Sequence, residues 1–95
     1  MTEDEIRELI LRRRRQTIVA RICYYCFDAN IMPDAEYDKR ERELKKLVSE
    51  YPKIAAKVKY HRLCPSWTVG SSVIKEYPVE LVGVARGLLK YMEEN

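Results

Sequence analysis

The sequence predicts an all-α fold: one small helical domain with two long antiparallel helices, shorter C-terminal helices and an extended segment near residues 64–77. Three observations predict it. Strong helix formers run from residue 3 to about 27 with no Gly or Pro between them. A second run, 35–51, repeats its apolar residues at helical spacing. Turn signals fall outside these runs, at Asp28-Ala29-Asn30, Pro33-Asp34, Tyr51-Pro52, Cys64-Pro65, Gly70 and Tyr77-Pro78. At 95 residues the chain has room for a single domain, 1–95, with a modest core.

In the first helix, acids occupy the opening turns, where the helix dipole favours negative charge. Leu11, Ile18, Ile22 and Tyr25 share roughly one face, with Ile10, Thr17 and Tyr24 beside it. Arg12, Arg13, Arg14 and Arg15 are consecutive and fan over about 300° of a helix that turns about 100° per residue. They therefore form no compact cationic patch. At least one should lie along the apolar face, its stem on the core and its head outside.

In the second helix Tyr37, Leu44, Leu47, Val48 and Tyr51 keep the spacing of one face. Asp34 is placed to cap its N-terminus, with Pro33 just outside. Pro52 ends the helix because it pushes Tyr51 out of the helical region. Residues 53–62 suit a further short helix. Residues 64–77 carry Pro65, Gly70 and several β-branched side chains and read as irregular or extended. A last helix over 79–93 is weakened by Gly83 and Gly87.

Charged residues are 35% and hydrophobic ones 46%, the balance of a soluble folded domain. No apolar run approaches the roughly 20 residues a membrane span needs. The opening MTEDEIREL lacks the basic start and apolar middle of a secretory signal, so a cytoplasmic location is expected. The net charge of +3 is unevenly spread. Residues 39–62 hold nine Lys or Arg against three Glu, enough to attract a polyanion. Interleaved Glu41, Glu43 and Glu50 favour a mixed, solvated face over a nucleic-acid surface.

Three cysteines argue against a disulfide framework. Cys23-x-x-Cys26 and His61-x-x-Cys64 together make a permissible tetrahedral zinc set. Knuckles of that kind place Cys-x-x-Cys on a tight turn, whereas this pair falls in the last turns of a helix. The plainer reading is two small buried hydrophobes, with no metal. A redox pair would want the helix N-terminus, which stabilises a thiolate. His61 has no Ser or Asp partner at a recognisable spacing and reads as an exposed or capping residue.

Asp34, Tyr37 and Asp38 stand at i, i+3 and i+4 and share a helical face. Tyr24 and Tyr25 end the preceding helix and can fold back onto that face. Tyrosines with carboxylates suit a flat cationic ring, by stacking, by cation–π attraction and by charge neutralisation. The same residues also admit a plain structural role: a cap, a packed ring and a solvated acid.

The stretch YYCFDANIMPDAEYDKRERELKKLVSEYP, residues 24–52, resembles the N-terminal Ia region of NAD⁺-dependent bacterial DNA ligases. That family shows a Tyr-His or Tyr-Tyr pair, an Asp, a short loop, Asp-x-Glu-Tyr-Asp, and a helix ending in an aromatic or His before Pro. CPSWTVGS, 64–71, is similar to the family's Ser-Pro-Thr-x-x-Val-Gly, and YPVELVGVARGL, 77–88, is a weaker echo of the segment that opens its adenylation domain. Residues 1–62 are thus the better-matched part and 63–95 a diverged tail. The resemblance implies a cofactor, NAD⁺ or its NMN half, contacted by Tyr24, Tyr25, Asp34, Tyr37 and Asp38. Tyr25 stands where many relatives have His.

The departures limit the expected chemistry. The ligase nucleophile is a lysine in Lys-x-Asp-Gly, which forms a covalent adenylate. That motif does not occur here, so the chain is not expected to ligate DNA alone. Three functions compete: a non-catalytic NMN- or NAD⁺-binding module that works with a separate adenylation domain, an interaction protein that mimics a ligase domain to bind a host enzyme, and a small nucleic-acid binder using residues 39–62. A helical domain this short also has apolar surface that a homo-oligomer would hide.

Overall fold

The computed structural model describes residues 1–61 and 74–94. Helix α1 spans Glu3–Phe27, α2 Asp34–Glu50, α3 Pro52–Ala55 and α4 Val79–Glu94, with one 3₁₀ turn at Ile74–Glu76. There is no strand among the described residues. No helix among them is long and apolar enough to cross a membrane. Of the segment expected to be irregular or extended, residues 64–73 lie outside the described residues.

Helix α1 is the hub, packing against α2, α3 and α4. Thr2 caps it, its hydroxyl accepting the Glu5 N–H at 3.2 Å, and Glu3, Asp4 and Glu5 fill its first turn. At the other end Asp28 adopts the left-handed region, with φ 52° and ψ 40°. The Cys23 carbonyl accepts the N–H groups of both Asp28 and Ala29. An Asp tolerates this conformation better than most side chains, and it turns the chain sharply into the loop at 28–33.

Pro33, not Asp34, is the N-cap of α2. Its extended backbone, φ −60° and ψ 148°, stops the helix, and its carbonyl accepts the N–H groups of Glu36 and Tyr37. Asp34 becomes the first helical residue and makes no side-chain cap bond. Its charge still lies at the favourable end of the dipole. Arg21 and Tyr25 of α1 lie near Tyr37 of α2, while Arg13 pairs with Glu43 at 3.2 Å. That register makes α1 and α2 an antiparallel hairpin.

The core is built from Ile6, Ile10, Ile18, Ile22 and Cys23 of α1, with Leu44 of α2, Ala55 of α3, and Leu81, Val82 and Ala85 of α4. Val19 of α1, Val58 and Tyr77 complete it. The face expected from spacing is rotated slightly. Ile10 and Thr17 are fully buried, whereas Leu11 is only half-buried and Tyr25 is 40% exposed.

The arginine run departs most from expectation. Arg14 is completely buried, head included. Its Nη1 donates to the carbonyls of Ala55, Val58 and Lys59 at 3.0, 2.9 and 3.3 Å. These carbonyls end α3 and the turn after it, where a short helix leaves its acceptors without intrahelical donors. A guanidinium satisfies several of them and matches the negative end of the helix. This also explains why helix 53–62 stops at Ala55. The chain bends through i→i−3 bonds from Lys57 and Val58 and through a left-handed Tyr60, φ 69°, presenting those carbonyls to Arg14.

Beyond that bend, the Tyr60 hydroxyl donates to Glu80 at 2.9 Å, and Lys59 pairs with the same carboxylate at 3.3 Å. These exposed contacts tie the first turn of α4 to the end of α3 and add little stability on their own. Glycines 83 and 87 leave open space around their missing side chains, so α4 is tolerant there.

Replacing Arg14 removes a buried cation from three carbonyls, those of Ala55 and Val58 in buried contacts and that of Lys59 in a part-buried one. Arg14→Met should lower unfolding free energy by roughly 3 kcal/mol, whereas Arg12→Met should change it by less than about 0.5 kcal/mol. Urea unfolding followed by circular dichroism measures both, and equal small effects would contradict the assigned role.

Candidate functional site

A cleft of about 380 Å³ opens at the loop end of the α1–α2 hairpin. Helix α1 contributes Ala20, Arg21, Tyr24 and Tyr25. The loop adds Asn30, Ile31 and Met32, and α2 adds Asp34, Tyr37 and Glu41. Sharp turning at Asp28 and extension at Pro33 set the two helix ends apart as its walls.

The structure brings Tyr24, Tyr25, Asp34 and Tyr37 to this cleft. The two adjacent tyrosines meet edge to face, with ring centroids 5.0 Å apart and planes at 81°. At 55% and 40% exposure, both rings keep surface available to a ligand. Asp38 is exposed and is not among the lining residues. Helical geometry gives the reason. Each residue turns about 100°, so Asp34, Tyr37 and Glu41 fall within about 60° of one another, on the flank that leads to buried Leu44. Asp38 stands on the far flank of Asp34.

Two lining residues of opposite charge were not among those expected: Arg21 and Glu41. The Arg21 guanidinium lies over the Tyr25 ring, 5.4 Å from its centroid, in cation–π geometry. Burial pushes the Tyr37 hydroxyl far above its ordinary range, the Arg21 charge opposes that rise, and the Glu41 carboxylate adds to it while accepting the hydroxyl's hydrogen bond. Tyr37 is thus a neutral, oriented ring at any ordinary pH. Both missed residues were signalled by spacing. Arg21 precedes Tyr24 and Tyr25 by three and four positions, and Glu41 follows Tyr37 by four.

The cysteine pair lies behind this site. Cys23 is fully buried and Cys26 partly so. Burial raises both thiols, and for Cys23 the neighbouring Cys26 adds to the rise. His61 is exposed, and Cys64 lies outside the described residues. Among the described residues no three His, Cys, Asp or Glu side chains come together as a metal site.

On the other side of the loop, Ile31 and Met32 also border a second groove of about 510 Å³ between α1 and α4. Arg12, Arg15 and Arg40 line it with Glu8, beside Leu11, Val19, Val84 and Leu88. Two of the four consecutive arginines therefore face this groove, while Arg13 and Arg14 serve α2 and α3.

Residues 3–58 match the family model of the DNA ligase-like, N-terminal NAD⁺-binding domain. The chain belongs to this family. The matched residues include α1, α2, α3 and every residue lining the 380 Å³ cleft. Within the DNA ligase-like domain, then, the part that builds the cleft is the part the family shares, and α4 lies beyond the match. No solved structure matches the chain.

The raised thiols of this ligase-like domain should react slowly. In a Cys64→Ser background at pH 7.5, a thiol-labelling time course should modify Cys26 before Cys23, and both more slowly than a free cysteine. Labelling of Cys23 at the free-thiol rate would show that the α1 end is open rather than packed.

Proposed function

We propose that this domain is a non-catalytic module that binds the nicotinamide mononucleotide half of NAD⁺ and works with a partner chain carrying the adenylation domain. One observation carries the reading: Tyr24, Tyr25, Asp34 and Tyr37, four of the five residues the ligase resemblance singles out, converge on one cleft inside the matched span. The fit is chemical. A cleft of about 380 Å³ is at the small end of ligand pockets and suits a mononucleotide. The tyrosine rings offer π faces to a pyridinium, and the Asp34 carboxylate offers it a counter-charge and an acceptor for ribose hydroxyls.

When bound, NAD⁺ would supply an adenylyl group for transfer. This chain's residues would hold and orient the half that leaves. Among the described residues no lysine lines the cleft, and these 95 residues hold no Lys-x-Asp-Gly motif, so in this reading the nucleophile is supplied from outside them. An open cleft on a small domain covers little of its ligand, and weak binding by the free domain follows. Calorimetric titration with NMN should give a dissociation constant of about 0.1–1 mM, weakened roughly tenfold or beyond detection by Asp34→Ala and by Tyr37→Ala. Asp34 is exposed, so that variant should keep its circular dichroism spectrum. Heats that are negligible for wild type and variants alike would end this reading.

The groove between α1 and α4 favours the partner part of the proposal. Its aliphatic lining and excess of arginine complement an acidic amphipathic segment rather than a bare phosphate backbone. With a separately encoded adenylation domain as partner, the double variant Arg12→Glu, Arg15→Glu should weaken the complex at least tenfold and leave NMN binding by the isolated chain unchanged. A complex indifferent to that reversal would place the contact elsewhere.

A further inference from the structure

The two walls of the cleft carry opposite charges. On the α2 wall stand Asp34 and Glu41. Glu41 is engaged twice, accepting the Tyr37 hydroxyl and pairing with Lys45 at 3.3 Å. Asp34, in the first turn of α2, is exposed to an incoming ligand. On the α1 wall, Arg21 is the one cation among the described residues that line the cleft. It is half-buried, and its guanidinium is held over the Tyr25 ring. Its field reaches the hydroxyls of Tyr37 and of buried Tyr77, lowering both against the larger effect of burial. Arg21 is therefore a fixed, partly desolvated charge at the inner side of the cleft rather than a side chain free in solvent.

A cleft with a cation on one wall and a carboxylate on the other is mismatched to a ligand of single charge. A bare pyridinium gains from Asp34 and the tyrosine faces but is repelled by Arg21. A simple phosphate gains from Arg21 and is repelled by Asp34. A ligand with a cationic ring at one end and a phosphate at the other satisfies both walls at once. We propose that Arg21 is a specificity-determining residue of this cleft, recognising the phosphate of a zwitterionic pyridinium mononucleotide while Asp34 and the tyrosines receive its ring. The guanidinium can meet phosphate oxygens with two parallel N–H donors, a geometry that an ammonium does not reproduce. The contact with the Tyr25 ring, 5.4 Å from guanidinium carbon to centroid, restrains the group and lowers the entropy lost on binding. This inference rests on the nucleotide reading above and goes beyond it, because it sets which part of the ligand carries the selectivity and which residue reads it.

The test compares NMN with nicotinamide riboside, which has the same ring and ribose but no phosphate. Both are titrated calorimetrically into the 95-residue chain, its Arg21→Met variant and its Arg21→Lys variant at low salt. Wild type should bind NMN about tenfold more tightly than the riboside. In Arg21→Met the ratio should fall to about one, with riboside affinity unchanged or slightly improved. That riboside affinity doubles as proof that the cleft is still formed. Arg21→Lys should give an intermediate ratio. A wild-type ratio near one, or a tenfold ratio that survives Arg21→Met, overturns the assignment to Arg21 while leaving nucleotide binding intact. Binding of neither ligand by wild type overturns the nucleotide reading and this inference together.

Discussion

The arrangement depends on one buried cation. Arg14 sits in the middle of the central helix and closes three carbonyls at the end of α3. Burying a guanidinium costs several kcal/mol, and the three carbonyls that accept from Nη1 offset part of that cost. The acceptors exist because the chain after Ala55 bends instead of continuing as helix, so the bend and the cation require each other. From the same bend, Lys59 and Tyr60 reach Glu80 and set the start of α4 against α1. The neighbours of Arg14 follow from helical geometry. Steps of about 100° send Arg13 to Glu43 on α2 and leave Arg12 and Arg15 beside α4. Four identical residues in a row thus do three different things.

The cleft follows from how the hairpin is closed. Core packing between α1 and α2 centres on Leu44, the only fully buried residue of α2. Toward the loop the apolar seam gives way to tyrosines and charges, and the loop must leave room between the helix ends. A left-handed Asp28 and an extended Pro33 achieve this in few residues. The site is therefore polar because it lies past the end of the seam, and ordered because both walls are ends of well-packed helices. Tyr37 stands where the two regimes meet: it is half-buried, and it borders the cleft beside Glu41, which raises its hydroxyl's pKa further.

Helix existence and order were legible in the sequence, since α1, α2 and α4 begin and end within a residue or so of their periodic runs and turn signals. The buried role of Arg14 was not. Periodicity treats every arginine as a surface residue, and nothing local announces that carbonyls more than 40 positions away will need a donor. The same blindness displaced the end of α3, whose composition continues to favour helix after its hydrogen bonding has stopped. At the site, the resemblance and the spacing led to Tyr24, Tyr25, Asp34 and Tyr37. Asp38 and Glu41 show where residue type alone falls short. Both are acids one or two helical steps from Asp34, and only their angle to Leu44 decides which one borders the cleft.

A cleft of this kind makes physical sense as half of a site. Its charges are exposed or half-buried, so water screens them and each is worth little to a ligand in the free domain. Closing a second surface over the mouth would remove that water and strengthen the Asp34 and Arg21 interactions together, without any change in their positions. Ile31 and Met32 border both the cleft and the groove between α1 and α4, so a partner seated in the groove would press on one wall of the cleft from behind. With such a partner, the weak binding expected of the free domain would reflect a division of labour: the module would supply orientation and a charge pattern, and the partner would supply the dry environment in which that pattern becomes selective.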